Sequence, residues 1–270
     1  MTAANAPRCV ANTLIYEGGF TKTPHDPGNW TGGKVGKGVL LGTNFGIAAN
    51  TYPHLDIPNL KKSEAIAIFV RDYWPKAQGD MWPKGIDQVT YDAVVNSGPG
   101  RLSWTLQAIG DKSLIGAVTK ARAANENGRI AIVKKQVAIR VAFLRGLSTF
   151  GRFGPGWIKR CVGMEAIGVR MVLEDFRTDP GPVLKKEAEK AKTKEVATGG
   201  TATGTAAGGG GGATQLPEPS TWDWTAWLFV GCLTVAAVGI VAFFAWQWWK
   251  NRSRWQAYID VARGTLGEWL

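Results

Sequence analysis

The chain has 270 residues, enough for one or two domains with packed cores, and carries 32 Lys and Arg against 21 Asp and Glu, a net charge of +11. Residues 1–180 hold 23 of the basic and 14 of the acidic side chains, so +9 of the charge lies there, and it calls for an anionic partner: nucleic acid, a membrane surface or a cell-wall polymer. No zinc finger, basic zipper or aromatic nucleic-acid-binding signature is visible, which argues against nucleic acid. The only histidines, His25 and His54, have no third residue at ligand spacing, which argues against a metal centre.

The first predicted element is a helix over about 8–17, with Val10, Leu14 and Ile15 on its apolar face. Gly18-Gly19 follow Glu17 at once and are expected to stop it, since glycine tolerates the left-handed backbone of helix ends. Asp26 comes nine residues after Glu17, in His25-Asp26-Pro27-Gly28. Seven glycines then fall in 28–46, with short β-prone pieces at Val39-Leu40-Leu41 and Phe45-Gly46-Ile47. This reads as a loop-rich β-hairpin region. No phosphate-binding Gly-Lys-Ser/Thr ending follows the glycines.

Amphipathic helices are expected over about 60–74 (Ile66, Phe69, Val70, Tyr73, Trp74) and 85–97 (Ile86, Val89, Ala93, Val94 on one side). Asn96-Ser97-Gly98-Pro99-Gly100 breaks the chain. Helices over about 101–109, 113–124 and 127–148 come next, the last with the stripe Ile130, Val133, Val137, Val141, Leu144. Gly151–Gly156 is expected to break the chain again before a final helix over about 157–176. The fold class is therefore α+β, mostly helical with one small Gly-rich β-hairpin patch.

From Pro180 the character changes. Residues 183–196 are rich in Lys, Glu and Ala, a frayed solvated helix, and 197–214 are almost only Gly, Ala and Thr, a flexible linker. Trp224 to Trp249 then gives 26 residues without a charge, long enough at about 1.5 Å per residue to cross a bilayer core of about 30 Å. Tryptophans stand at both ends, and Lys250, Arg252 and Arg254 follow. The positive-inside rule puts the C-terminus in the cytoplasm and the N-terminal domain on the other, cell-wall side. The N-terminus has one Arg and no long apolar run, so no conventional signal peptide is read there. Of the three cysteines, Cys232 lies in the apolar span, and Cys9 and Cys161 read as buried thiols or as a pair.

Glycoside cleavage needs a protonated acid at the leaving oxygen and a second carboxylate or an oriented water at the anomeric carbon. Glu17, at an apolar helix end that can raise its pKa, suits the acid role. Asp26 suits the second carboxylate, and Thr43 suits holding a water. Read singly, Glu17 is an ordinary helix end and Asp26 an ordinary turn former. Trp30, Tyr73, Trp74 and Trp82 are candidates for stacking on sugar rings. Tyr73 and Trp74 serve equally as core, and Trp30, in the Gly-rich loop, is the better substrate contact. Asn96 suits a hydrogen bond to an N-acetyl group, or a cap at the chain break.

Five motifs occur in order: Glu17-Gly18-Gly19-Phe20, His25-Asp26-Pro27-Gly28, Thr43-Asn44-Phe45-Gly46-Ile47, Arg71-Asp72-Tyr73-Trp74 and Asp92–Gly100. Together they resemble glycoside hydrolase family 108, the lysozyme-like N-acetylmuramidases of phages and bacteria. The resemblance covers roughly 8–178. It implies a lysozyme-like catalytic domain over 8–96 and a helical peptidoglycan-binding region over 97–178. A linker over 179–221, a transmembrane helix over 224–249 and a basic cytoplasmic tail over 250–270 follow. The family's catalytic Glu falls on Glu17. A similarity to phage-type lysozymes adds Asp26 and Thr43 as partners. The implied activity is a membrane-anchored, endolysin-like muramidase acting on peptidoglycan with no cofactor. A lytic transglycosylase on the same fold and a non-catalytic peptidoglycan-binding protein are the alternatives.

Overall fold

A helix buried over most of its length and a second one packed against it organise the chain. The computed structural model describes residues 5–207 and 224–266, with side chains described for 5–196 and 238–266. Helix α3 (Ile86–Ser97) is buried at every position from Ile86 to Val94, whereas the apolar spacing predicts one buried face. A helix can sink on all sides only if its polar groups find partners. Here Thr90 bonds Thr105 at 2.8 Å, Gln88 accepts from Asn12 at 2.9 Å, and Asp87 accepts from Asn5 at 2.6 Å.

The second helix is α7 (Phe150–Asp175), buried without interruption from Arg160 to Leu173. The expected break at Gly151–Gly156 is absent: α7 runs through it with Pro155 inside. Proline leaves one carbonyl of the preceding turn without its helical donor. Residues 151–153, 155 and 156 are exposed, so water can serve that turn. Phe150 and Phe153 fold against Trp157, with ring centroids 6.4 and 5.8 Å away, and hold the glycine-rich turns together.

The remaining helices wrap these two. They are α1 (Ala6–Leu14), α2 (Lys62–Asp72), α4 (Leu102–Ile109), α5 (Leu114–Ala123) and α6 (Glu126–Arg145). Their limits follow local chemistry: Ser113 Oγ accepts from Gly116 N–H and Asn125 Oδ1 from Gly128 N–H, capping α5 and α6. The β patch is smaller and differently placed than expected. Strands β1 (Thr43–Asn44) and β2 (Ile47–Ala48) pair antiparallel, Thr43 opposite Ala48. Phe45 and Gly46 form the turn, both with positive φ, the pattern of a two-residue primed hairpin. Val39-Leu40-Leu41 contributes only a single bridge, Leu40 to Trp30.

Helix α8 (Pro180–Ala207) replaces both the frayed helix and the first half of the flexible linker. Leu184, Ala188 and Ala191 are buried at helical spacing, and the stretch is ordered because helix α9 (Trp224–Ala262) packs along it. The rest of the expected linker, 208–214, lies outside the described residues.

The expected membrane span divides. Side chains of 224–237 lie outside the described residues, and among the described residues no helix is long and apolar enough to cross a membrane. Val238, Ile240, Val241 and Phe243 are exposed. Beyond them the basic stretch is not free of the body: Asn251, Ala257, Tyr258 and Val261 are buried. Glu165 of α7 accepts from Arg254 at 2.5 Å and from Tyr258 at 2.9 Å. Residues 251–261 are packed onto the domain itself.

Candidate active site

Helix α1 ends at Leu14, three residues before the expected stop. The chain then tightens: Tyr16 N–H bonds Thr13 O at 3.1 Å and Glu17 N–H bonds Leu14 O at 3.2 Å. Gly18 and Gly19 have no positive φ, so they do not cap it in the left-handed conformation. Tyr16 instead turns against α7, and a Cβ at Gly163 would stand 1.9 Å from its hydroxyl. Close approach of the tyrosine to the α7 backbone fixes where the next residue, Glu17, emerges.

Glu17 meets a guanidinium. Arg160 of α7 reaches Glu17 Oε1 at 2.9 Å with the same Nη2 that bonds Asp92 Oδ1 at 2.8 Å. Asp92, fully buried on α3, is also bonded by Arg140 of α6 at 2.6 Å. Burial opposes ionisation of Asp92, but Arg160 and Arg140 outweigh it and hold the carboxyl below its usual range. Burial likewise works against the charge of Arg160, and Asp92, with Glu17 behind it, reverses this and raises its pKa. The side chains of Asp92 and Arg160 are 0% and 8% exposed, and Glu17 stands at 22%. A buried charge network therefore ends on one partly open carboxylate. The expected apolar wall around Glu17 is replaced by this charged one.

Opposite Arg160 stands the hairpin turn. A Cβ at Gly46 would lie 3.5 Å from Glu17 Oε2 and 3.4 Å from Phe69 Cζ, at a φ of +78° that favours glycine. The segment after Glu17 is tied to β1 by a two-way backbone pair, Thr21 N–H to Thr43 O and Thr43 N–H to Thr21 O, both 2.8 Å.

Glu17 lines a cavity of about 1060 Å³ with Asn96, Trp157, Lys159, Arg160 and residues of α9. Of the residues singled out in the sequence, only Asn96 shares this lining. Its Oδ1 accepts from Arg140 at 2.8 Å. Asp26, Thr43 and Trp30 gather instead around Asn29 on the loop side. Thr43 Oγ1 donates to Asn29 Oδ1 at 2.7 Å, and Asn29 Nδ2 donates to Thr23 O at 3.1 Å. Trp30 Nε1 donates to Pro24 O at 2.8 Å. Asp26 is exposed, and its Oδ1 accepts from Gly28 N–H at 2.8 Å. Tyr73 packs its ring on Phe69, 4.9 Å between centroids, and Lys76 Nζ stands over the Tyr73 ring, 4.5 Å from its centroid. Trp74 and Trp82 are buried core. Cys9 and Cys161 are both buried and free.

Sequence reasoning missed Arg160, Arg140, Trp157 and the α9 wall. Asp92 belongs to a motif, but nothing local marks it as a buried ion-pair centre. A signal existed for Arg160, which opens a continuously buried stretch of α7 two residues after Ile158.

A family model described as Glycosyl hydrolase 108 matches residues 10–98, about a third of the chain. A solved structure of SagA from Brucella abortus is similar to this chain, with 26% sequence identity and a TM-score of 0.47. The alignment covers 63% of this chain and 96% of that one. No curated protein matches the chain. The matched stretch contains Glu17, Asp26, Thr43, Asp92 and Asn96, and the match supports a glycoside hydrolase.

Proposed function

We propose that the chain is a muramidase, hydrolysing the bond between N-acetylmuramic acid and N-acetylglucosamine in peptidoglycan, with Glu17 as general acid. The observation that carries this reading is the placement of Glu17. It is the one carboxylate of the family-matched stretch that lines the large cavity, and a buried network aims it there. In the reaction a proton passes from Glu17 to the glycosidic oxygen as the bond to the anomeric carbon breaks. A water, or first a carboxylate, takes the anomeric carbon. Asp26 is the candidate for that second carboxylate. Thr43 is the candidate for orienting the water: its proton is committed to Asn29, so its oxygen is the side offered to a water hydrogen. Asn96 and Trp30 are the candidate sugar contacts, and Tyr73 acts behind them through packing.

One observation favours a second reading. Asp26 is not among the residues that line the cavity with Glu17, and a lytic transglycosylase needs no second carboxylate. Analysis of products separates the two: reducing muramic acid ends support hydrolysis, and 1,6-anhydro ends support the transglycosylase. Release of neither from purified sacculi would leave a non-catalytic wall-binding protein and overturn both.

The run 224–245 serves in this proposal as a bilayer anchor, and Trp246, Trp248 and Trp249 at the end of the charge-free stretch lie against the domain. Its tryptophan-flanked, charge-free sequence supports that role. With residues 251–261 packed on the domain, the anchor keeps Glu17 near the bilayer on the side that carries the C-terminus, and for the wall to be the substrate that side is the wall side. Flotation with liposomes tests it: the full chain floats, and a chain ending at residue 223 does not.

A further inference from the structure

We infer that helix α9, far outside the family-matched stretch, supplies a binding wall for the acidic side branch of the glycan. The inference rests on the peptidoglycan reading and deepens it. The cavity that Glu17 lines takes Trp248, Arg252, Gln256 and Asp260 from α9 and Trp157 and Lys159 from α7, with Asp260 accepting from Gln256 at 2.8 Å. Both helices bring cations and indoles to the lining, and the matched stretch brings neither.

The wall is built and held. Glu165, 1% exposed, binds Arg254 and Tyr258, and Ala257, Tyr258 and Val261 are buried beneath the turn that faces the cavity. Arg252 stands 5.4 Å from the Trp248 ring centroid and 3.8 Å from Glu195 of α8, which orients a guanidinium that is otherwise 59% exposed. Lys159 is exposed on the α7 side. Arg160 is committed to Asp92 and Glu17, so Lys159 and Arg252 are the cations the cavity offers to a ligand.

Indole faces suit the C–H faces of sugar rings, and a guanidinium suits a carboxylate. A glycan in which each second sugar carries a carboxylate or an acidic peptide on its lactyl group presents both at the spacing of one residue. A neutral glycan presents only the first. The wall thus selects strands bearing the acidic branch, and the selection acts on binding.

The test compares the full-length chain and its variants on two soluble substrates: amidase-stripped glycan strands, in which every muramic acid carries a free lactyl carboxylate, and the same strands with those carboxylates converted to neutral methylamides. R252E and K159E each lower the ratio of kcat/KM between carboxylate-bearing and methylamide strands by about fivefold, through KM, the size of one exposed ion pair replaced by a repulsion. R252K restores most of the ratio. K186E, an equal charge change on the exposed face of α8, does not move it. Both cations face solvent, and thermal melting verifies that the variants fold. An unchanged ratio in R252E and K159E overturns the inference. So does a rise in kcat/KM on both substrates, which would make α9 an occluding lid. Cleavage that survives E17Q would instead overturn the underlying reading of the site, whatever the ratio does.

Discussion

The two sides of Glu17 itself are built by opposite means. On one side, residues 18–60 form a loop lobe with a two-residue hairpin. It is held by short-range bonds such as Thr43 to Asn29 and Trp30 to Pro24, and most of its surface is exposed. On the other side, α3, α6 and α7 enclose Asp92, Arg140 and Arg160, whose contacts join residues 48 to 68 positions apart. The rigid side aims the carboxylate and the loop side covers it. A catalytic group needs fixed geometry, and a polymer needs room to enter. The difference assigns those tasks to separate parts of the chain.

If the helical side is the rigid one, its centre is the most costly place to cut. Asp92→Ala leaves Arg140 and Arg160 buried without their shared carboxylate, and about 3–5 kcal/mol of stability is lost, read by urea unfolding. A loss under about 1 kcal/mol would make the network a surface feature and dissolve the contrast.

Next comes Asp87 on the same helix. Burial raises its carboxyl from the ordinary 3.8 to about 7, against the bonds it accepts from Asn5, Gln88 and Gly85. The folded state therefore holds the proton more tightly than the unfolded one. Stability from this group is full below about pH 4, falls as pH rises toward 7 and levels off above, with a slope near 1 kcal/mol per pH unit within the window. Asp87→Asn flattens that slope. A wild-type curve already flat from pH 4 to 7 contradicts the assignment.

A smaller effect with a direct link to the site is Gly163→Ala. The added methyl collides with the Tyr16 hydroxyl, and relief costs about 1–3 kcal/mol while displacing Glu17. Cell-wall clearing should fall more than stability alone predicts at a temperature where the variant is fully folded. On the loop side, Thr43→Val removes one bond to Asn29 and costs about 1 kcal/mol. A larger loss there would mean the lobe is as tightly built as the helices.

Much of the helical frame was legible in the sequence, because apolar spacing and caps are local. α4, α5 and α6 begin and end within three residues of expectation, and Ser113 and Asn125 mark two of the starts. Three things were not legible. α7 runs through a glycine-rich, proline-bearing stretch because its aromatic side chains, not its backbone preferences, hold it. α8 is ordered by α9, a contact that no local pattern announces. Above all, Arg160 meets Glu17 across 143 residues of chain. Periodicity says which face is buried, never which distant charge it meets.

Glu17 itself was found by its motif, and the structure adds its setting. The account stands most directly on one measurement: the clearing rate of purified cell walls by Glu17→Gln, assayed beside pelleting of the same variant with those walls. Loss of a general acid predicts a fall of at least about 100-fold in rate, with wall binding kept and the melting temperature held close to wild type. Undiminished clearing by a folded Glu17→Gln protein would contradict it.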